Sequence, residues 1–156
     1  MRRSKTIRTL KRELQHAADY PTWRALSEAL DELEGGAEWR AEDDSTHYDA
    51  GALRDSLRRL ERVTRARDAL AMVEALKTGL YQHQLTLSDP LLYRHSRVGT
   101  KHLVERYLDL ITEAMTYLCD ADIPGMSHQT KLQTFEAQAK NVGASALLLS
   151  GGATLG

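Results

Sequence analysis

The chain has 156 residues, 42% of them hydrophobic and 28% charged, with a formal net charge of -1. That length suits one ordinary globular domain, and 10 Gly with only 3 Pro exclude collagen-like and Pro/Gly-rich disordered classes. The single cysteine, Cys119, excludes an internal disulfide framework or a multi-cysteine metal site, and the near-neutral balance gives no electrostatic case for a nucleic-acid partner.

The first predicted helix runs from about Arg3 to Ala18, with Ile7, Leu10, Leu14 and Ala17 on one narrow stripe. Arg2, Arg3, Lys5, Arg8, Lys11 and Arg12 surround it, and no acid precedes Glu13. A second helix follows Tyr20-Pro21, since proline is tolerated in a first turn. Trp23, Leu26, Leu30 and Leu33 recur along it at helical spacing, and Gly35-Gly36 ends it. An acidic connection with Trp39, Glu42, Asp43, Asp44, Ser45 and Tyr48 leads to Asp49, the expected N-cap of a third helix striped by Leu53, Leu57 and Leu60. A fourth helix carries Leu70, Val73, Leu76 and Leu80, with Gly79 near its end. The stretch from Gln82 to Arg97 lacks a period and contains Asp89-Pro90, so it reads as an ordered loop.

The fifth helix, Thr100 to Leu118, has the widest apolar face: Leu103, Val104, Tyr107, Leu110, Ile111, Ala114, Met115 and Leu118. A face that wide belongs in a core. Ser127 caps a sixth helix that turns Leu132, Phe135 and Ala139 inward and stops at Asn141 and Gly143. Ser145 to Leu149 then forms a short apolar run without helical period, bounded by glycines, which fits a strand buried on both faces. A lone buried strand leaves backbone groups unpaired, so its partner strands are expected after Gly156. The expected fold class is mainly α, about six amphipathic helices followed by the first strand of a truncated α/β sheet. The domains are then a helical leader over 1–142 and the start of an α/β domain over 143–156.

The Gly-rich turn Ser150-Gly151-Gly152-Ala153-Thr154-Leu155-Gly156 follows that strand. Glycines there let backbone N–H groups point into open space, which suits either a phosphate or the oxyanion of an acyl-transfer intermediate, and equally a plain turn. The six histidines show neither an i, i+4 pair nor H-E-x-x-H, so no metal site is expected. His95 is read as bracing a loop, Trp23 and Trp39 as packing anchors, Asp43 and Asp44 as a solvated acidic face, and Cys119 as inert. No run reaches the roughly 20 apolar residues of a membrane-crossing helix. The basic N-terminus lacks the apolar segment of a secretory signal. A reduced, cytoplasmic setting is expected, with the basic first helix read either as solvated or as a peripheral contact on a membrane or lipid-droplet surface.

Several pieces in order resemble the N-terminal portion of patatin-like acyl-hydrolases that carry a helical leader, a group including fungal and plant triacylglycerol lipases. They are Trp23, Leu30-Asp31-Glu32-Leu33-Glu34-Gly35, Trp39, Tyr48-Asp49, Gly79-Leu80, the run Leu92 to Lys101, and Leu147 to Gly156. The resemblance covers nearly all of the chain from Tyr20. It implies a Ser–Asp dyad hydrolase of acylglycerols or phospholipids, with no cofactor. It also implies an oxyanion hole matching the backbone of Gly151, Gly152 and Ala153. Ser150 stands where many patatins have Asp, and Gln82-His83 where the family commonly has Arg-Asn. No G-x-S-x-G occurs and the dyad aspartate has no counterpart, so the chain alone is expected to lack catalytic residues and hydrolase activity. On the residues alone, a non-catalytic helical interaction module and a nucleotide-binding α/β domain stay open.

Overall fold

A computed structural model describes residues 2–142, which form seven α-helices and one 3₁₀-helix. They are α1 (Arg2–Leu14), α2 (Tyr20–Glu34), α3 (Gly36–Ala41), α4 (Ala50–Ala66), α5 (Ala69–Leu87), the 3₁₀-helix Pro90–Tyr93, α6 (His102–Asp120) and α7 (His128–Val142). The class is mainly helical, as the periodicity predicts. The strand expected over 145–149 lies outside the described residues.

The helix boundaries have local chemical causes. Asp19 caps α2 by accepting from the Thr22 N–H at 2.8 Å, and Pro21 sits in its first turn. Gly35, in the left-handed conformation, ends α2. Asp49 caps α4 through the Ala52 N–H at 2.9 Å, Asp68 caps α5 through Ala71 at 3.1 Å, and Ser127 caps α7 through Thr130 at 3.1 Å. The Lys131 ammonium donates to the Cys119 and Ala121 carbonyls and so closes the carboxyl end of α6.

The chain divides into two compact units, Met1–Asp55 with Leu85–Asp109, and Ser56–Gln84 with the chain from Leu110 on. In the first, α1 packs on α2 and α2 on α3. Its buried apolar residues are Leu30, Tyr48, Ala50, Leu53, Leu92, Leu103, Val104 and Tyr107. The second unit buries Leu57, Leu60, Ala69, Met72, Ala75, Leu76, Ile111, Ala114 and Leu118. Leu103, Val104, Tyr107, Ile111, Ala114 and Leu118 all lie on α6, so most of its wide apolar face is buried as expected, the first three in the first unit and the last three in the second, while Leu110 and Met115 are half-buried.

Four expectations need correction. The connection after Gly36 is not wholly irregular, since Gly36–Ala41 is helical and carries Trp39. Of the loop expected over Gln82–Arg97, residues 82–87 are instead the last turns of α5 and Pro90–Tyr93 the 3₁₀-helix, while 94–97 are irregular as expected. Pro90 fits there because it opens a new helical turn capped by the Asp89 carboxylate, which accepts from Leu91 N–H at 2.9 Å. The inner face of α5 is Ala69, Met72, Ala75, Leu76, Gly79 and His83, while Leu70 is 71% exposed. Of the expected stripe Leu76 is buried, Val73 and Leu80 are half-buried and Leu70 faces outward, while small residues and a hydrogen-bonded histidine make up most of the inner face. Leu132 on α7 is exposed and Phe135 half-buried; Ala139 falls outside the described side chains.

Candidate functional site

Gly151, Gly152 and Ala153, the candidate oxyanion donors, lie outside the described residues. Within them, the most concentrated polar chemistry surrounds the segment 94–101, which joins the 3₁₀-helix to α6.

The first tie is Asp31, on the inward face of α2 with Ser27 and Leu30. Its carboxylate, 3% exposed, accepts from Ser96 Oγ at 2.6 Å, from the Arg97 and Val98 backbone N–H groups at 2.9 and 3.1 Å, and from Arg97 Nη1 at 3.3 Å. Burial alone pushes this carboxyl up. The four donors outweigh it, and the group sits below the ordinary carboxylate value of 3.8. One turn on, Glu34 takes the other arm of Arg97 at 2.5 Å and Lys11 at 2.7 Å. Gly36 leaves room for this knot, since a Cβ there would lie 2.9 Å from the Asp31 Cγ and Oδ1.

The second tie is Arg40, on α3. Its Nη2 contacts both Glu105 carboxylate oxygens at 3.1 and 2.9 Å, and its Nε donates to the Thr100 carbonyl at 3.0 Å. Glu105, in the first turn of α6, also accepts from Thr100 N–H at 2.9 Å, where a carboxylate complements the helix dipole. The Thr100 hydroxyl donates to the Leu92 carbonyl. Between the two ties Gly99 has φ 76°, and a Cβ on it would collide with Glu105 Oε1. Gly99→Ala is therefore expected to cost about 2 kcal/mol or more, from left-handed strain and loss of the Arg40–Glu105 geometry. A urea denaturation midpoint indistinguishable from wild type would refute that reading.

The third tie is a stack. Trp39 lies against His95, with ring centroids 4.9 Å apart and an interplanar angle of 29°. The Lys101 ammonium sits 4.5 Å from the Trp39 ring centroid, an attractive cation–π geometry. Lys101 is 1% exposed and donates to the Asp44 carbonyl at 3.2 Å. His47 Nδ1 is 3.1 Å from Asp89 Oδ2. Tyr48, buried, donates to the Asp43 carbonyl at 2.5 Å, and its burial pushes the phenol up to about 12.

The donors on Asp31 and Glu105 are the chain's own, which makes both carboxylates ties for the segment 94–101 rather than an acid or base poised for a substrate. His95 braces that loop as expected, and Trp39 is a packing anchor. Trp23 is not, being 36% exposed. Asp43 and Asp44 pair with Arg54 at 3.2 and 3.0 Å. His83, expected in a loop, is buried in α5 with Nε2 2.9 Å from Ser56 Oγ. Cys119 is exposed. Among the described residues no cluster of three His, Cys, Asp or Glu side chains can hold a metal ion, and no helix is long and apolar enough to cross a membrane.

Reading by residue type missed Asp31, Arg40, Glu105 and Lys101 as a connected set. One signal was available: two of the segments carrying the family resemblance, 30–35 and 92–101, are those that Asp31 joins. A family described only as a domain of unknown function (DUF3336) matches residues 1–140. The chain belongs to this family. It is similar to Triacylglycerol lipase ptl3 of Schizosaccharomyces pombe, at 28% identity covering 94% of this chain and 30% of that protein. It is likewise similar to Triacylglycerol lipase 5 of Saccharomyces cerevisiae, at 29% identity over 99% of this chain and 20% of that protein. A patatin-like phospholipase domain-containing protein of Aspergillus niger shares 29% identity over 94% of this chain and 21% of its own length. The DUF3336 chain thus spans less than a third of these relatives. No solved structure matches it.

Proposed function

We propose that this DUF3336 chain is the helical leader and oxyanion-loop portion of a patatin-like serine acyl hydrolase acting on lipid esters. One observation carries the reading: nearly the whole chain aligns with proteins named triacylglycerol lipase or patatin-like phospholipase. On this reading 1–142 is the leader and 143–156 opens the catalytic α/β domain. The strand expected over 145–149 would deliver Gly151, Gly152 and Ala153 to the reacting ester. A serine outside this sequence attacks the carbonyl carbon, the C=O electron pair moves onto oxygen, and the N–H groups of the loop stabilise that charge as it forms. The role needs backbone donors only, so Ala153 serves as well as glycine. The substrates are acylglycerols or phospholipids, met on the cytoplasmic side at a membrane or lipid-droplet surface.

The three ties fit this role as a scaffold. They hold the segment 94–101 against α2, α3 and the first turn of α6 and leave the chemistry to the loop. Hydrolysis assays on triacylglycerol emulsions and phospholipid vesicles test the proposal. The longer polypeptide of which residues 1–156 form part should release fatty acid, and the 156-residue chain should release none. Hydrolysis by the 156-residue chain, or none by the longer polypeptide on either lipid, would overturn it.

A further inference from the structure

We propose that the α1–α2 hairpin is a docking surface for an anionic phospholipid membrane, its basic helix meeting the headgroups and the Tyr20–Trp23 pair entering the interface. The inference rests on the lipid-hydrolase reading for the class of partner, but not for its geometry.

The charge distribution is the first support. Arg2, Arg3, Lys5, Arg8, Lys11 and Arg12 fall in one helix without an acid among them, in a chain of net charge -1. Cations in the first turn of α1 oppose the positive end of the helix dipole, so helix stability does not explain them. Arg3 and Lys11 are drawn into α2, through the Leu33 carbonyl and Glu34. Lys5, Arg8 and Arg12 are exposed. Such side chains near an anionic surface each strengthen binding about fivefold.

The aromatic pair is the second. Ile7, Leu10 and Leu14 of α1 are half-buried where it packs on α2, so α1 does not offer its own apolar stripe for insertion. Tyr20 and Trp23, in the first turns of α2, supply what α1 lacks. They are 64% and 36% exposed, with stacked rings 5.8 Å apart. Tyrosine and tryptophan favour the headgroup boundary, where an apolar ring and a polar edge are both accommodated. A groove of about 490 Å³ lined by Arg12, His16, Thr22 and Leu26 joins the basic helix to the start of α2, and Trp23 follows Thr22 directly. Glu13 and Asp19 border the same groove, and Asp19 is engaged as the α2 cap. A soluble polyanion would match the charge but give no role to the exposed aromatic pair, which favours the membrane.

Co-sedimentation of the 156-residue chain with phosphatidylcholine vesicles, with and without phosphatidylserine, tests the proposal. Binding should require phosphatidylserine and weaken in high salt. Lys5→Gln, Arg8→Gln and Arg12→Gln together should weaken it about 100-fold, whereas Arg62→Gln with Lys77→Gln, on exposed residues of α4 and α5, should leave it unchanged. Brominated phosphatidylcholine included in the anionic vesicles should quench Trp23, read as the difference between wild type and Trp23→Phe. Should the triple variant lose its helical circular dichroism, the wild-type salt dependence and the quenching decide. Equal binding to both vesicles, unquenched Trp23, or retention on heparin without vesicle binding would overturn the proposal. Vesicle binding by a polypeptide that hydrolyses no lipid leaves docking standing and removes the hydrolase reading. Hydrolysis of a water-soluble short-chain ester without vesicle binding does the reverse.

Discussion

Asp31→Ala is expected to destabilise the protein by about 3–5 kcal/mol at neutral pH, the range found when one partner of a buried charge-assisted network is removed. The substitution strips the acceptor from Ser96 Oγ, the Arg97 and Val98 N–H groups and one arm of Arg97 together, and it leaves a void beside Gly36. For a chain of this length the melting temperature should fall by roughly 10 °C. The pH dependence supplies an independent check. The folded-state pKa of Asp31 lies below its ordinary value of 3.8. Its contribution is therefore complete above that value and fades as pH falls through the folded-state pKa. The stability gap between wild type and Asp31→Ala, read from urea denaturation, should be largest near neutrality and shrink as pH falls below 3.8. A gap that is small, or constant with pH, would show that Asp31 does not hold the segment 94–101.

In the longer polypeptide, Gly152→Pro should lower kcat for lipid-ester hydrolysis by about 10²–10³-fold, because proline deletes one backbone donor from the proposed oxyanion hole. KM should change little, since the donor acts on charge that develops in the transition state. Gly152→Ala keeps the N–H and separates the two ways the loop can fail. If alanine is tolerated while proline is not, the lost donor is responsible. If both are equally damaging, the glycine serves backbone shape instead. An unchanged kcat in Gly152→Pro would remove the loop from the chemistry.

The elements that could be read from sequence are those whose signals are local. α6 announces itself through six buried apolar positions at helical spacing, and Asp49, Ser127 and Gly35 act as the caps their residue types suggest. α5 misleads in part because its inner face is built of Ala69, Ala75, Gly79 and His83 as much as of Met72 and Leu76, so of the stripe Leu70, Val73, Leu76 and Leu80, Leu76 is buried and Leu70 faces outward. Trp39 lies in a helix of only six residues, too short to show a period. The Asp31 knot was illegible for a different reason. Its partners are 65 to 67 positions away along the chain, and nothing local marks a carboxylate on an otherwise amphipathic helix as the one that will be buried. Of the candidate site, His95 and Trp39 are the two side chains that the sequence marks as structural, and they lie in contact.

The central claim is that residues 150–153 serve a serine hydrolase whose nucleophile lies outside this sequence. A serine-directed fluorophosphonate tests it most directly, offered in parallel to the longer polypeptide and to the 156-residue chain. We predict a single labelled serine in the longer polypeptide, with loss of lipid hydrolysis in proportion to labelling, and no labelling of the 156-residue chain. Labelling of a serine within residues 1–156, or hydrolysis that survives complete labelling, would contradict the account.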